Sequence, residues 1–304
     1  MKERIRERLL NTGASAVGFA KAENIKREVQ ENYAHWINEG NNGEMDYLKR
    51  HTPLRQNPES VLSNARTVIS LAYSYAPSEW RNPELPVVAA YAFGEDYHYA
   101  LREILQPVVN TFKEEYGGSW RICIDSAPLE ERFWAMKAGI GKRGLNGSII
   151  VEPCGGWCFL VEIITSLQIL PDTPSNDFCD KCGLCIKICP GRALKGDGSM
   201  DARKCINYLT IEKAGNLSQE ELKLVKSGKG YLYGCDLCLR VCPHNKEIFH
   251  TGLSRFGISD NIKDLSPEQI LKLNKSEFKK QFKESPLLYA GFDKLYRNAQ
   301  NLQN

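Results

Sequence analysis

At 304 residues the chain is long enough for two domains, and 42% hydrophobic with 25% charged residues is the balance of a globular protein. A formal net charge of +3 is too small to argue for nucleic acid by itself, and the longest apolar stretches fall far short of the roughly 18 residues that a membrane span needs. The charged amino terminus, Met1-Lys-Glu-Arg-Ile-Arg-Glu-Arg8, has no apolar stretch behind it, so no secretory signal is expected and the compartment is read as reducing and cytoplasmic.

In chain order, residues 1–12 read as a short charged amphipathic helix, and 14–20 (Ala-Ser-Ala-Val-Gly-Phe-Ala) as a first buried strand. Residues 66–75 are rich in β-branched and aromatic side chains and read as a second strand. A helix is expected over 97–116, with apolar positions at Leu101, Ile104, Leu105, Val108, Val109 and Phe112. Further strands are expected at 120–124, 148–151 and 159–165, with a helix over 129–138 between the first two. Strands alternating with helices give an α/β (α+β) layered domain over residues 1–170. Pro171-Asp-Thr-Pro-Ser-Asn176 is turn-rich and marks a boundary, beyond which residues 171–247 read as a ferredoxin-like domain and 248–304 as a helical tail. No internal repeat is visible apart from two cysteine runs.

Those runs hold seven of the eleven cysteines: Cys179-x2-Cys182-x2-Cys185-x3-Cys189-Pro190 and Cys235-x2-Cys238-x3-Cys242-Pro243. The first is a complete iron–sulfur ligand set. In the second, a full run ending at Cys242 would begin at 232, which is Leu232, so one ligand is missing. The two-cluster bacterial pattern sends the fourth cysteine of each run to the other cluster. Cys179, Cys182 and Cys185 are then completed by Cys242, while Cys189, Cys235 and Cys238 need one more thiolate. Cys205, between the runs, is the nearest candidate in sequence. Zinc ribbons do not require three cysteines at this spacing ahead of Cys-Pro, and disulfides do not suit a reducing compartment. Two [4Fe–4S] clusters are therefore expected. Cys123, in an apolar segment, reads as core, and Cys154 and Cys158 as buried small hydrophobes rather than a third metal site.

Clusters supply electrons without saying what is reduced. Asp125, at the end of a predicted strand, could be desolvated and raised in pKa to serve as a general acid, or it could cap a helix starting near Pro128. Tyr97 and His98, in Tyr91-Ala-Phe-Gly-Glu-Asp-Tyr-His98, could serve a proton relay, although a lone histidine is more often structural. The glycine-rich Ala138-Gly-Ile-Gly-Lys-Arg-Gly-Leu-Asn-Gly147 lets backbone approach a large ligand, but it follows a predicted helix and does not fit a dinucleotide fingerprint. Lys272, Lys275, Lys279, Lys280 and Lys283 crowd the tail, and Lys223, Lys226 and Lys229 precede the second cysteine run. Each reads singly as part of a solvated face.

Taken together, Gly43-Glu-Met-Asp-Tyr-Leu48, Tyr91-Ala-x-Gly-x-Asp-Tyr-His98, Asp125-Ser-Ala-Pro128 with Gly139-x-Gly141, Asp201-Ala-Arg-Lys-Cys-Ile-Asn-Tyr-Leu-Thr-Ile-Glu212, and Tyr233-Gly-Cys-Asp-Leu-Cys-Leu-x-Val-Cys-Pro-His-Asn245 resemble the epoxyqueuosine reductase family. The resemblance runs from about residue 10 to residue 298. It implies a cobalamin-dependent reductase that removes the epoxide oxygen of epoxyqueuosine at the tRNA wobble base, fed by an external low-potential electron donor. It implies Asp125 as proton donor and supports Cys205 as the eighth cluster ligand. Arg55, Tyr97, Asp125, Asn146, Ile149 and Leu160 would line the corrin and substrate pocket, and His98 and Lys213 would meet substrate or RNA phosphate. A monomer is the implied state.

Two positions depart from the family pattern: Phe93 stands where a basic residue is usual, and Leu145 where the glycine loop commonly carries a lysine. The sequence also ends where longer members continue into a helical-repeat domain, so it reads either as a naturally short form or as one whose RNA grip depends on the lysine-rich tail instead. Two rival readings share some of these features. A cobalamin reductase of small molecules, as in reductive dehalogenases, would be expected to carry an export signal. A pure electron-transfer subunit would not need roughly 170 residues ahead of its clusters.

Overall fold

A computed structural model describes residues 1–175, 179–246, 248 and 250–303. Asn176, which closes the expected boundary turn, Glu247, the expected domain limit, and Asn304, the end of the tail, lie outside the described residues.

The centre of the molecule is a four-stranded sheet in the order β1 (Ala16–Lys21), β2 (Thr67–Ser74), β4 (Cys158–Thr165), β3 (Trp120–Cys123). Every neighbouring pair is antiparallel, so the layered domain takes the α+β form. All eight residues of β2 are buried, as a strand flanked on both edges and covered on both faces must be. The register aligns Phe19, Ile69, Ile163 and Ile122 in one row across the sheet. On that face packs the Tyr97–Tyr116 helix, which presents Leu101, Leu105, Val109 and Phe112 at helical spacing. Ile104 and Val108, expected in the same stripe, are partly buried at its margin.

The opposite face carries the row Gly18, Ser70, Glu162, Cys123. The Glu131–Lys137 helix covers it, with Trp134 and Ala135 buried. Gly18 is required here, because a Cβ on it would lie 2.1 Å from the Ala138 carbonyl oxygen. Cys123 is 1% exposed on this face and Cys154 is fully buried, while Cys158 is partly buried beside Ile149 and Leu160.

The cysteine-rich region is stitched to this scaffold. Tyr231–Tyr233 pairs in parallel with Val87–Val88, and the buried Asp236 carboxylate accepts the Ala90 N–H at 2.7 Å. The last helix, Phe292–Gln303, closes over both parts. Its buried Asn298 donates to the carbonyls of Thr210 at 2.8 Å and Leu232 at 3.0 Å. One continuous hydrophobic cluster therefore runs from Ile5 through Leu232 and Tyr233 to Ala299. Among the described residues no helix is long and apolar enough to cross a membrane.

Candidate functional site

Asp125 follows β3 in a turn whose backbone lies in the left-handed region, φ +49°. That conformation is uncommon for a residue with a side chain, though aspartate tolerates it better than most, and its persistence needs local support. Support comes from Glu131, whose Oε1 accepts the Asp125 N–H at 2.6 Å. The neighbouring helix starts at Glu131, with Glu130 at its N-cap and no side-chain cap bond. Asp125 is thus not the helix cap that its spacing allowed. Its Oδ2 instead accepts from the Tyr97 hydroxyl at 2.9 Å and lies 3.3 Å from His98 Nε2.

The first turn of the Tyr97–Tyr116 helix supplies both partners. Asp96 is its N-cap, taking the His98 N–H at 2.9 Å, and the same oxygen sits 2.7 Å from His98 Nδ1. His98 is therefore held between two carboxylates. Tyr97 stacks on Phe159 of β4 at 4.3 Å and 8°, which fixes its hydroxyl toward Asp125.

The electrostatics correct the expectation of a raised Asp125 pKa. Partial desolvation by the protein packed around it would raise it, but the hydrogen bond and charge of His98, with the Tyr97 hydroxyl, bring it below the usual carboxylate value. His98 moves the other way, to about 9: burial opposes its charge, and the bonds to Asp125 and Asp96 overcome that. At neutral pH this pair holds its proton on the imidazole and its negative charge on Asp125. The Asp125 side chain is 60% exposed, so the pair opens to solvent at the mouth of the site.

Two further acids stand behind it, and neither was found from sequence. Glu131 is raised well above the ordinary value by burial, then by the charges of Glu162 and Asp125. Glu162, fully buried in the central sheet, is pushed up to about 8 by burial despite a 3.0 Å bond from Ser70 Oγ, and its second oxygen has no partner. An acid in the middle of a buried strand breaks the hydrophobic pattern, and that was the available signal.

The eight cysteines singled out for clusters fall into two sets. Cys179, Cys182, Cys185 and Cys242 line one recess, together with Asn146, Ile150 and His244. Cys189, Cys205, Cys235 and Cys238 form a second set, each within electrostatic reach of others in it. Cys205 is the N-cap of the Ile206–Ile211 helix, and the first backbone N–H groups of that helix, of Tyr208 and Asn207, favour its thiolate form against the opposing effect of burial. The Ala193 N–H lies 3.4 Å from Cys189 Sγ. Such donors stabilise thiolates and tune the potential of a cluster they hold. Among the described residues no three of these side chains close to a single-ion shell, so what is visible is the partition into two sets.

Asn146 lines the first recess, and its side chain also favours the thiolate of Cys238 in the second set. Ile149 and Leu160 pack together with Met136 and Cys158 on the Glu131–Lys137 side of the sheet, whereas Tyr97 lies on the other face. The structure therefore does not bring these two to the Tyr97 side. Arg55 donates to the Leu129 carbonyl at 2.9 Å and to Glu130 at 3.2 Å, next to the Asp125 turn. Its Nε is buried without a partner. Lys213 is 3.5 Å from Glu44 and 3.4 Å from Glu221, so its charge is already balanced. Phe93 and Leu145 are buried, Phe93 edge-on to Trp80.

On the far side of the Asp125 turn, the groove between the Tyr97–Tyr116 helix and edge strand β3 encloses about 310 Å³. Arg102, Gln106, Lys113 and Arg121 line it, and Ser126, Ala127 and Pro128 close one end.

Residues 178–245 match the family described as a 4Fe-4S double cluster binding domain, and residues 55–126 match that described as epoxyqueuosine reductase QueG, DUF1730. An epoxyqueuosine reductase from Cyclobacterium marinum is 33% identical over 298 residues, covering 96% of this chain and 93% of its own. A crystal structure of epoxyqueuosine reductase with an epoxyqueuosine-modified tRNA stem loop superposes with a TM-score of 0.88 at 27% identity, covering 99% of this chain and 80% of that one. Another, from Bacillus subtilis, has its catalytic aspartate loop swung out of the active site; it gives a TM-score of 0.86 at 27% identity, with the same coverage.

Proposed function

The chain belongs to the epoxyqueuosine reductase family, and on that premise we propose that it reduces epoxyqueuosine to queuosine at the wobble position of tRNA, with Asp125 as proton donor. It is an oxidoreductase. The observation that carries the reading is the Asp96–His98–Asp125 array with Tyr97, set at the open end of a sheet whose neighbouring region holds two four-cysteine sets.

Removing an epoxide oxygen as water and leaving an alkene takes two electrons and two protons. Two [4Fe–4S] clusters, held by Cys179, Cys182, Cys185 and Cys242 and by Cys189, Cys205, Cys235 and Cys238, would pass electrons singly. Cobalamin, when bound, would supply the low-valent cobalt that opens the epoxide. Arg55, with its buried unpartnered Nε beside the Asp125 turn, suits an acceptor group of a corrinoid. Tyr97 and Asn146 complete our assignment of its surroundings, and Ile149 and Leu160, across the sheet, would support that wall from behind.

This chain's own residues handle the protons. His98 stores one at neutral pH, Asp125 delivers it to the leaving oxygen, the second comes from solvent at the open mouth through the same pair, and the Tyr97 hydroxyl orients Asp125. Glu131 keeps the turn in place through the Asp125 N–H. RNA phosphates would meet Arg102, Lys113 and Arg121 along the groove, with the tail lysines and Lys213 as further partners.

We read residues 1–170 as the cobalamin and substrate part, 171–247 as the ferredoxin-like part and 248–304 as the helical tail. We also read the protein as a cytoplasmic monomer served by an external low-potential donor. The test is anaerobic purification, addition of cobalamin and a low-potential reductant, and mass spectrometry of nucleosides from epoxyqueuosine-containing tRNA. Conversion to queuosine is expected. A protein loaded with iron and cobalamin that leaves the epoxide untouched would overturn the reading.

A further inference from the structure

We infer that Glu212, hydrogen bonded by the Tyr289 hydroxyl, is the subsite that reads the Watson–Crick edge of a guanine-type base. The inference rests on the tRNA reading above and adds how the wobble base is recognised.

Glu212 is the C-cap of the Ile206–Ile211 helix, the end where a negative charge is least welcome. The capping work there is done by others. Lys294 Nζ donates to the Ile211 carbonyl at 2.7 Å, and Arg297 donates to the carbonyls of Leu209 and Lys213 at 2.8 Å and of Gly215 at 2.7 Å. The Glu212 carboxylate is thus free of any role in ending the helix. Its Oε1 accepts the Tyr289 hydroxyl at 3.0 Å. Burial raises its pKa against the Tyr289 bond and the charge of Lys294, and the charge of Asp125 adds to the rise, so the two acids lie within electrostatic reach of each other. Tyr47 feels the charges of both. A half-buried acid at a helix C-terminus beside a second acid violates three local preferences, and such violations collect at functional sites.

The chemistry of the mouth narrows the ligand. A phosphate would be repelled by Asp125, and the nearest cations already face acids: Lys213 with Glu44 and Glu221, Arg55 with Glu130, and Lys294, bonded to the Ile211 carbonyl, with its charge acting on Glu212 itself. A carboxylate wants donors. Guanine and 7-deazaguanine present two adjacent donors, N1–H and N2–H2, to one side. Adenine and cytosine pair a donor with an acceptor on that edge, and uracil sets its single N–H between two carbonyls. The modification of epoxyqueuosine lies on the five-membered ring and leaves this edge intact. Tyr289 is 59% exposed, a large aromatic surface of the kind on which an extruded base stacks.

The test compares anticodon stem loops carrying guanosine or inosine at the wobble position, inosine lacking the 2-amino donor. Binding to the reconstituted full chain is read anaerobically by fluorescence anisotropy. Wild type is expected to prefer guanosine about tenfold, the worth of one hydrogen bond to a charged acceptor. Glu212→Gln, nearly isosteric, should bind both equally while its iron content and cluster absorbance stay unchanged. Tyr289→Ala should weaken both RNAs alike and keep the preference. Equal binding by wild type, or a preference surviving in Glu212→Gln, overturns the inference. Turnover of epoxyqueuosine RNA by wild type is measured in parallel. Turnover without base preference sinks this subsite alone, whereas preference without turnover sinks the proposed reaction and leaves the subsite standing.

Discussion

The cysteine sets and the Asp125 turn lie in one molecule but are specified in different ways. The sets draw on residues 179–242, where spacing along the chain fixes which thiols can converge, and most of their geometry is local. The Asp125 turn is assembled from three distant pieces: the start of the Tyr97–Tyr116 helix, the end of β3, and the Glu131–Lys137 helix. A site of the first kind is encoded by residue identity and count. A site of the second kind is encoded by the fold, and its chemistry changes with partners that no motif names.

The sharpest way to separate the two is Cys205→Ala. It should lose one whole cluster, reducing iron from about eight to about four per chain, and abolish turnover. Iron analysis and electron paramagnetic resonance would show it, and retained full iron would place the eighth ligand elsewhere. Asp125→Asn should leave both clusters and corrinoid binding intact while lowering turnover by about 10²-fold or more. Unchanged turnover would remove Asp125 from proton delivery.

A smaller effect sharpens the fold-encoded side. His98, raised to about 9 by its two carboxylates, should keep its proton through neutral pH and lose it as pH climbs through about 9. Turnover should fall over that limb, and His98→Gln should remove it. The sign for stability is the same: the contribution is complete below about 6.5, the unfolded value, and is lost by about 9. The smallest effect belongs to the groove. Replacing Arg102 or Arg121 with Ala should weaken RNA binding without changing base preference, and flatten the slope of log affinity against log salt by roughly 0.7 to 0.9 for each phosphate no longer neutralised.

How much was legible follows the same division. The Tyr97–Tyr116 helix was read to its observed bounds, because Asp96 caps it, Gly117 ends it at φ +69°, and its apolar stripe has period 3.6. The strands of the main sheet were found within a residue or two, since burial on both faces leaves largely apolar runs, interrupted at Ser70 and Glu162. Val87–Val88 and Tyr231–Tyr233 were not, because strands this short carry no periodicity and pair across more than 140 positions. The Arg27–Asn38 helix was also passed over, with Ile37 its one fully buried position. At the site, Asp125, Tyr97 and His98 were named, but the Asp125 shift was read as upward and is downward. It depends on His98 arriving from 27 residues away. Glu131 and Glu162 were missed for the same reason: their importance lies in each other.

The Ile206–Ile211 helix has Cys205 at one end and Glu212 at the other. Seven helical steps separate them, about 10 Å along the axis at about 100° per residue. Such a segment is a ruler of fixed length and fixed twist. Five of its six side chains are buried, so packing constrains its letters, and adding or deleting a single residue would in addition turn one end by about a quarter of a revolution relative to the other. Selection on this stretch should therefore act on its length as strictly as on its letters.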